Sequence, residues 1–476
     1  MSSASSSTHT TDAAPPHGGP HGGPAGPGVS AGSSARLAWL DALRGFAALC
    51  VVFDHGSTLV LRPVRDYLYH TLDLGQYGVF VFFLVSGYIV PASLERKGST
   101  RAFWISRAFR LYPMYAVAIA LSVIAYQTHY GDIAGAEHSP ATSITSWLAM
   151  MPNMLSGPNV PNVTWTLSYE MVFYLLLAAL FSWRVHRHSG AYAITLAIGA
   201  CVLGGVLPMA ALQHWGRHGG PSPLTVDVVA DVLIIGGIAL ALTGRSVLIK
   251  IGASVGALTG LILATVNQGY PYPWSGLMIL ALMFTGTLIY RAEQKQVSKY
   301  TAAWTAGAVV ALTVAAGLLH SAQYHLGNQW QTQWVSSIVL AAATFAVGLA
   351  VRNRKIPRVA AWLGLISYSV YLLHPLVFNV YRSIPSLHRH HYGALGQTLT
   401  ALALLAVILA ASAITYYTVE KPMQRLGRWV ATWGSRSRHG PFSEKNNDKT
   451  GAGASVADAR STSSSSAVAG GSGGSP

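Results

Sequence analysis

The sequence predicts an all-α polytopic membrane protein, a bundle of about 10–12 transmembrane helices with disordered N- and C-terminal tails. Three observations predict this class. Hydrophobic residues make up 51% of the 476-residue chain and charged residues only 10%, too few charges to cover the surface of a soluble protein. The apolar residues are concentrated in runs near the length that crosses about 30 Å of hydrocarbon. No run alternates as the strands of a membrane barrel do, so helices are expected.

Twelve apolar segments are predicted to cross the membrane. The longest connection between them is the outer one at 129–163. The segments across 224–267 are joined by only a short basic link, so this region holds either two spans or one. In chain order, the predicted spans are 38–61, 75–94, 108–128, 164–183, 191–213, 224–243, 247–267, 274–290, 301–319, 332–351, 360–381 and 396–419.

The ends of the chain differ from the spans in composition. Residues 1–35 are rich in Ser, Thr, Gly, Pro and His, and residues 434–476 are rich in Ser, Gly and Ala. Segments of this kind bury too little apolar surface to fold. We therefore divide the chain into a disordered N-terminal tail (1–35), a membrane-embedded domain (36–433) and a disordered C-terminal tail (434–476).

The basic residues predict the orientation, because cytoplasmic connections retain Lys and Arg. With the N-terminus in the cytoplasm, most of the basic residues fall on the cytoplasmic side. The outer connections at 129–163, 268–273 and 320–331 then contain no Lys or Arg. We expect a multi-pass protein of the plasma membrane with a cytoplasmic N-terminus. The exceptions to this pattern are Arg62, Arg65, Arg217, Arg382 and Arg389.

The net charge of +15 would suggest nucleic-acid binding in a soluble protein. Here the basic residues lie in short clusters between apolar runs, which is the pattern of membrane topology. The expected partner is therefore the lipid bilayer, and no nucleic-acid partner is expected. Cys50 and Cys201 both lie in apolar runs and match no metal-ligand spacing, so no metal site is predicted.

The first predicted span carries four ionisable residues, Asp41, Arg44, Asp54 and His55, which are costly in lipid. The eleven-residue step from Arg44 to His55 makes about three helical turns and places both residues on one face, about 16 Å apart. Asp41 lies one turn before Arg44, where an i,i+3 ion pair is possible. Arg44 alone could simply anchor the helix end, and His55 could be a satisfied polar residue. The aligned pair favours a functional site, because histidine is suited to proton transfer.

Charged residues also occur in the third and fourth predicted spans. Arg107 and Arg110 stand three residues apart near the cytoplasmic start of the third span, a spacing at which two guanidinium groups suit a phosphate. Glu170 opens the fourth span on the outer side. A carboxylate inside a span needs a partner, and we expect His55, at comparable depth, to be that partner.

An ordered set of short motifs runs along the membrane region. Together they resemble the acyltransferase 3 family of membrane O-acyltransferases, over essentially the whole of that region. The motifs are Arg44 and His55 separated by ten residues, FFLVSGY (82–88), Arg107-x-x-Arg110-x-x-Pro113, WTLSYE (165–170), SYSVYLLHPL (367–376) and VEKP (419–422).

The resemblance implies an enzyme that transfers an acyl group, often acetyl from acetyl-CoA, to a hydroxyl of a sugar, a cell-envelope glycan or a secondary metabolite. It implies no permanently bound cofactor. Acyl-CoA, expected to be acetyl-CoA, is then the co-substrate, and a hydroxylated acceptor is the second partner.

The resemblance also implies roles for single residues. His55 corresponds to the essential histidine of the family and Glu170 to the acidic residue of the WTLSYE motif. Arg44, Arg107 and Arg110 correspond to the arginines associated with the acyl donor. We expect His55 to act as general base with Glu170 holding its imidazole, or to carry the acyl group itself as a nucleophile.

Two alternatives remain at this point. His374 in the SYSVYLLHPL motif is either a second catalytic group or, as we favour, a structural residue. The whole chain could also be a proton-coupled multi-span transporter, because many spans with an interior histidine and carboxylates describe such a carrier too. The ionisable residues concentrate in the first four spans and the two halves show no clear similarity, which favours the transferase.

Overall fold

The computed structural model describes residues 38–131, 139–385 and 393–436. The described chain is helical and contains no strand, which confirms the all-α prediction. The predicted tails lie outside the described residues, except that the last helix extends to Arg436. In chain order, the α-helices are α1 (Ala38–Ser57), α2 (Arg62–Tyr69), α3 (Leu74–Lys97), α4 (Thr100–Gln127), α5 (Pro140–Leu148), α6 (Trp165–Ser182), α7 (Ser189–Leu203), α8 (Ala211–Arg217), α9 (Pro223–Leu242), α10 (Ser246–Val266), α11 (Pro273–Glu293), α12 (Lys299–Gln323), α13 (Asn328–Ala350), α14 (Arg358–Ser383), α15 (Ala394–Thr415) and α16 (Lys421–Arg436).

Ten helices within the described residues are long and apolar enough to cross a membrane, and the bent pair α1 and α2 adds an eleventh if it counts as one span. This confirms a multi-pass membrane protein. The region 224–267 forms two separate helices, α9 and α10. The span predicted at 191–213 is shorter than expected, because α7 has 15 residues and ends at Leu203, just before a Gly-Gly pair that breaks the helix.

Three helices, α3, α6 and α11, form the buried centre of the bundle. α3 packs between α1 and α11, and α14 packs along α1. Small residues bring α3 and α11 into contact, since Thr287 Oγ1 donates to the Gly87 carbonyl oxygen at 2.8 Å. A Cβ atom on Gly87 would lie 2.0 Å from the carbonyl oxygen of Met283. Position 87 therefore tolerates only glycine at this helix spacing.

The first helix ends earlier than predicted and the chain then folds back. α1 stops at Ser57, and α2 follows at an angle of 116°. α2 is strongly amphipathic, as expected of a helix that lies along a membrane surface. Its Arg65, one of the exceptions to the orientation pattern, places its guanidinium 4.2 Å from the centre of the Tyr69 ring. The bend thus brings a cation and an aromatic ring beside the end of α1.

The described part of the long outer connection folds into the bundle. After α5, the side chains of Met150, Met151 and Met154 are fully buried. Asp227 of α9 holds this segment, because both the backbone N–H and the hydroxyl of Ser156 donate to its carboxylate at 3.1 Å. Buried backbone groups need such partners, so the connection packs as part of the core.

The last two helices are continuous through a π-helical turn at Tyr416–Glu420. The 39 residues from Ala394 to Thr432 rise about 58 Å, well beyond the hydrocarbon core of about 30 Å. α16 therefore leaves the membrane at the end of the bundle where α4 begins, and it packs against α4. The π turn places Glu420 in the interior, where it is 2% exposed.

We expect Gly87→Val to lower the melting temperature of the detergent-solubilised protein by several degrees. The added side chain forces α3 away from α11, and overpacking of this kind costs about 1–3 kcal/mol. Gly236→Val on α9 is the matched control, since a Cβ there meets no atom within 4 Å. Equal melting temperatures for the two variants, measured by tryptophan fluorescence, would contradict the close contact of α3 and α11.

Candidate active site

A cluster of basic side chains lies at the end of the bundle where α1 and α4 begin, here called the basic end. Arg44 and Arg107 are buried, at 8% and 6% exposure, and Arg110 interacts electrostatically with both. Arg44 Nη1 lies 3.9 Å from Asp41 Oδ1, so the predicted i,i+3 pair is confirmed. Arg107 donates to the Tyr174 hydroxyl at 3.5 Å and lies over its ring.

Glu170 belongs to this basic cluster rather than to the surroundings of His55. Its carboxylate accepts a hydrogen bond from Tyr174 and interacts electrostatically with all three arginines. The expected contact between Glu170 and His55 is corrected accordingly. The reason is the depth of the helix: Thr166, in the first turn of α6, already reaches the level of Tyr371, and Glu170 lies about one turn further toward the basic end.

Two further residues complete the basic cluster. Glu420 accepts hydrogen bonds from Ser369 at 3.1 Å and Gln424 at 3.0 Å, and it interacts electrostatically with Arg44 and Arg110. Lys97, at the end of α3, interacts with Arg107 and Arg110. Nothing in the sequence marks Lys97 as part of a site, because a basic residue at the end of a span is also the usual signal of a cytoplasmic connection.

The cluster holds one more cation than carboxylates, since Arg44, Lys97, Arg107 and Arg110 face Asp41, Glu170 and Glu420. The Nε atom of Arg107 is buried and has no hydrogen-bond partner among the described residues. A buried N–H of a cation without an acceptor is costly. An anion with several oxygen atoms would satisfy it, because guanidinium groups bind such anions through paired hydrogen bonds.

The other functional group is a histidine pair at the opposite end of α1, here called the histidine end. His55 Nδ1 lies 2.9 Å from His374 Nε2, and the two rings are 5.1 Å apart at an angle of 30°. His374 is fully buried, and its Nδ1 lies 3.1 Å from the carbonyl oxygen of Val370. The structure thus brings together two histidines that stand 319 residues apart in the sequence.

The hydrogen-bond network determines which ring nitrogens carry protons when both rings are neutral. A carbonyl oxygen only accepts, so the Nδ1 of His374 must donate to Val370. The Nε2 of His374 is then an acceptor, and His55 Nδ1 must be its donor. The Nε2 of His55 is left without a proton. It is therefore the nitrogen able to accept one from a substrate or to attack a carbonyl carbon.

Two carboxyl groups lie near the histidine end. Asp73 caps the N-terminus of α3, where it accepts a hydrogen bond from the Gln76 N–H at 2.8 Å, and it interacts electrostatically with His55. Burial raises the pKa of the Asp73 carboxyl, and the neighbouring Asp54 adds to this effect. Asp54 itself accepts from the backbone N–H of Gly75. The sequence marks Asp73 as a helix cap, but nothing in it shows that this cap faces His55.

A line of aromatic contacts connects the two ends. The Arg44 guanidinium lies 5.9 Å from the centre of the Phe82 ring, and Phe82 stacks on Tyr371 at 6.2 Å and 8°. The Tyr371 ring lies 6.0 Å from that of His374. A small cavity of about 10 Å³ lies along this line, between residues of α1, α3, α6 and α14. The line is here called the aromatic passage.

The amino-acid sequence is similar to those of known proteins. Residues 37–417 match the acyltransferase 3 family, described as an acyltransferase domain. Acyltransferase MdmB of Streptomyces mycarofaciens is 33% identical over 149 residues, 29% of this chain and 38% of that protein. Nodulation protein 10 of Rhizobium leguminosarum bv. viciae is 31% identical over 184 residues, 34% of this chain and 50% of that protein.

A third relative is the exopolysaccharide production protein ExoZ of Rhizobium meliloti (strain 1021), which is 30% identical over 145 residues, 28% of this chain and 44% of that protein. The chain therefore aligns with half or less of the length of each of these curated relatives. No solved structure matches the chain. The family match, in contrast, spans residues 37–417 of the chain, and the positions of the histidine pair and the three arginines lie within that range. The chain therefore belongs to the acyltransferase 3 family, and its long apolar helices make it a multi-pass membrane protein.

Proposed function

We propose that this chain is an O-acyltransferase that moves an acyl group, most simply acetyl, from acyl-CoA to a hydroxyl of a sugar, a cell-envelope glycan or a secondary metabolite. The main support for the proposal is the pair of hydrogen bonds from His55 to His374 and from His374 to the Val370 carbonyl. They leave the Nε2 of His55 unprotonated and free to act on a substrate. The family membership favours transfer over proton-coupled transport. The name of one relative, an exopolysaccharide production protein, supports a glycan acceptor.

The acyl donor would bind at the basic end. Its phosphate groups would lie against Arg44, Arg107 and Arg110, with Lys97 nearby. Hydrogen bonds between charged groups contribute about 1.5–3 kcal/mol each, and guanidinium groups bind phosphate through two parallel bonds. In this proposal Glu170 is a positioning residue, because it holds Tyr174, which in turn contacts Arg107.

The acyl end of the donor would reach the histidine end through the aromatic passage. Arg44 and His55 are eleven residues apart on α1, which corresponds to about 16 Å. A pantetheine arm has a length of the same order. Flat rings such as Phe82 and Tyr371 can guide a thin, uncharged chain without offering competing charges. The passage would open as the arm enters, since the cavity along it is small.

In the first of two routes, His55 is a general base. Its Nε2 takes the proton of the acceptor hydroxyl while the oxygen attacks the thioester carbonyl carbon. The carbon–sulfur bond then breaks, and the CoA sulfur takes the proton from His55. The positive charge formed on His55 is stabilised by the hydrogen bond from its Nδ1–H to His374 and by Asp73.

In the second route, His55 is an acyl carrier. Its Nε2 attacks the thioester carbon, the carbon–sulfur bond breaks, and CoA leaves as a thiolate that takes a proton from water, while the acyl group rests on the imidazole as an acyl-imidazolium. A hydroxyl then attacks the acyl carbon, the carbon–nitrogen bond breaks, and the hydroxyl proton passes to water. Incubation with labelled acyl-CoA in the absence of acceptor separates the two routes. Label that stays on the wild-type protein and is absent from His55→Ala indicates the carrier route.

The proposed acyl donor also predicts how the protein is oriented in the membrane. Acyl-CoA is a cytoplasmic metabolite, so the basic end would face the cytoplasm and the histidine end the outer side of the plasma membrane. The positions of Lys and Arg support the same orientation, with a cytoplasmic N-terminus.

We expect His55→Ala to abolish O-acylation in cells at equal protein level, because loss of the proton acceptor costs about 10²–10⁴-fold in rate. Mass spectrometry of envelope glycans and secreted small molecules, with and without the wild-type protein, identifies the acyl group and the acceptor together. Identical profiles for wild type and His55→Ala, with an acyl product present in both, would contradict a role for His55.

His374→Ala should lower kcat while the KM for acyl-CoA stays within about twofold. The variant loses the hydrogen bond that holds the His55 tautomer, and a bond to a charged group contributes about 1.5–3 kcal/mol, or roughly 10–150-fold in rate. His374→Gln is the conservative variant, since its amide oxygen can still accept from His55 Nδ1–H. If His374 had only a structural role, kcat would fall equally in His374→Ala and His374→Gln, and both variants would melt at a lower temperature than the wild type.

Arg107→Gln should raise the KM for acyl-CoA about tenfold or more, because a guanidinium that binds phosphate is lost. Arg101→Gln is the matched control on the same helix, as Arg101 lies about 1.7 turns earlier and is not one of the residues of the basic cluster. Steady-state kinetics with varied acyl-CoA concentration measures the difference. An unchanged KM for acyl-CoA in Arg107→Gln would show that the acyl donor does not bind at the basic end.

A further inference from the structure

A second, larger cavity lies on the other side of α3. It has a volume of about 560 Å³ and is bounded by α3, α11, α12 and α13, within the range of about 300–1,000 Å³ typical of small-molecule sites. Leu84 lines this cavity, whereas Phe82 lines the aromatic passage. Two residues apart on a helix, these side chains point about 160° away from each other, so the cavity is separate from the candidate active site.

The lining of the cavity is apolar along nearly its whole length. Small side chains on α12 and α13 create the space, because they leave room between these helices and the core. Charged side chains occur only at one end, formed by Glu293, Lys299 and Arg352. The small residues of the two helices are Ala302, Ala303, Ala306, Gly307, Ala342 and Ala346.

The length of the cavity corresponds to one leaflet of a bilayer. Ile338 and Leu349 of α13 both line it, and eleven residues of a helix rise about 16 Å. Half of the hydrocarbon core measures about 15 Å. The charged end lies where α11 ends and α12 begins, which is the basic end of the bundle. The cavity therefore runs from the membrane surface at that end to the middle of the bilayer.

The charged end is complementary to an anion. The Glu293 carboxylate is already bound by Arg352 and by the Tyr88 hydroxyl. Lys299 is exposed and has no ion pair among the described residues. The end thus offers one net positive charge at the level of lipid headgroups, where a basic residue attracts anionic lipid.

We propose that this cavity binds one acyl chain of an anionic phospholipid, with the lipid phosphate beside Lys299 and Arg352. An acyl chain needs no hydrogen bonds, so it fits an apolar lining that would leave a polar ligand unsatisfied. The bound chain fills the space that separates α12 and α13 from α3 and α11. This lipid site is independent of the acyl transfer proposed above.

The test is native mass spectrometry of the full chain in detergent after incubation with phosphatidylglycerol or phosphatidylcholine. Wild type is expected to retain one phosphatidylglycerol in preference to phosphatidylcholine. Ala306→Phe and Ala342→Phe fill the cavity and should lose this retained lipid. Ala308→Phe is the matched control on α12, because Ala308 is exposed and outside the cavity, and it should behave as wild type. A single sharp size-exclusion peak for each variant shows that it is folded.

The headgroup is tested separately. Lys299→Gln should reduce the preference for phosphatidylglycerol about fivefold, the effect of one cation at a membrane surface, whereas Lys295→Gln, on the neighbouring connection, should not. If both cavity-filling variants retained phosphatidylglycerol at the wild-type level, the lipid chain would not bind in this cavity. Equal retention of the two lipids by wild type would overturn the anionic headgroup.

Discussion

A charged side chain inside a membrane needs a partner of opposite charge, and this constraint sets the arrangement of the helices around the active site. Arg44 on α1, Arg107 and Arg110 on α4, Glu170 on α6 and Glu420 after α15 come from four separate parts of the chain. Each would be costly in lipid alone. Together they neutralise one another except for one positive charge, so the cluster both fixes the packing of these helices and remains able to bind an anion.

The two groups on which the proposed function depends are held by one helix. α1 carries Arg44 near its start and His55 near its end, on the same face, and α14 packs along it and supplies His374. A straight helix keeps the distance between the two groups constant at about 16 Å. This geometry suits a donor with its charges at one end and its reactive carbonyl at the other. In the proposed mechanism, binding of the donor at the basic end is also kept apart from proton transfer at the histidine end.

Local features of this structure could be predicted from the sequence, and contacts between distant helices could not. The spans, the shared face of Arg44 and His55 and the pair of Asp41 with Arg44 all follow from helical periodicity. The partner of Glu170 was predicted incorrectly, because it depends on how deep α6 sits relative to α1. The partner of His55 was missed for the same reason. His374 belongs to a motif, but its position along α1 depends on how α14 packs against α1, and the two histidines are 319 residues apart in the sequence. The early end of α7 could have been read from its Gly-Gly pair.

The most direct test of this account is a cryo-EM structure of the full chain with a non-hydrolysable acyl-CoA analogue. We expect the phosphate groups of the analogue to lie against Arg107 and Arg110, its pantetheine arm to lie along Phe82 and Tyr371, and its acyl carbon to lie beside His55 Nε2. In the general-base route one hydroxyl group should fit between that carbon and the nitrogen, whereas in the carrier route the carbon itself should lie about 3–3.5 Å from the nitrogen. An analogue bound with its phosphates at the histidine end, or outside the passage, would contradict the account.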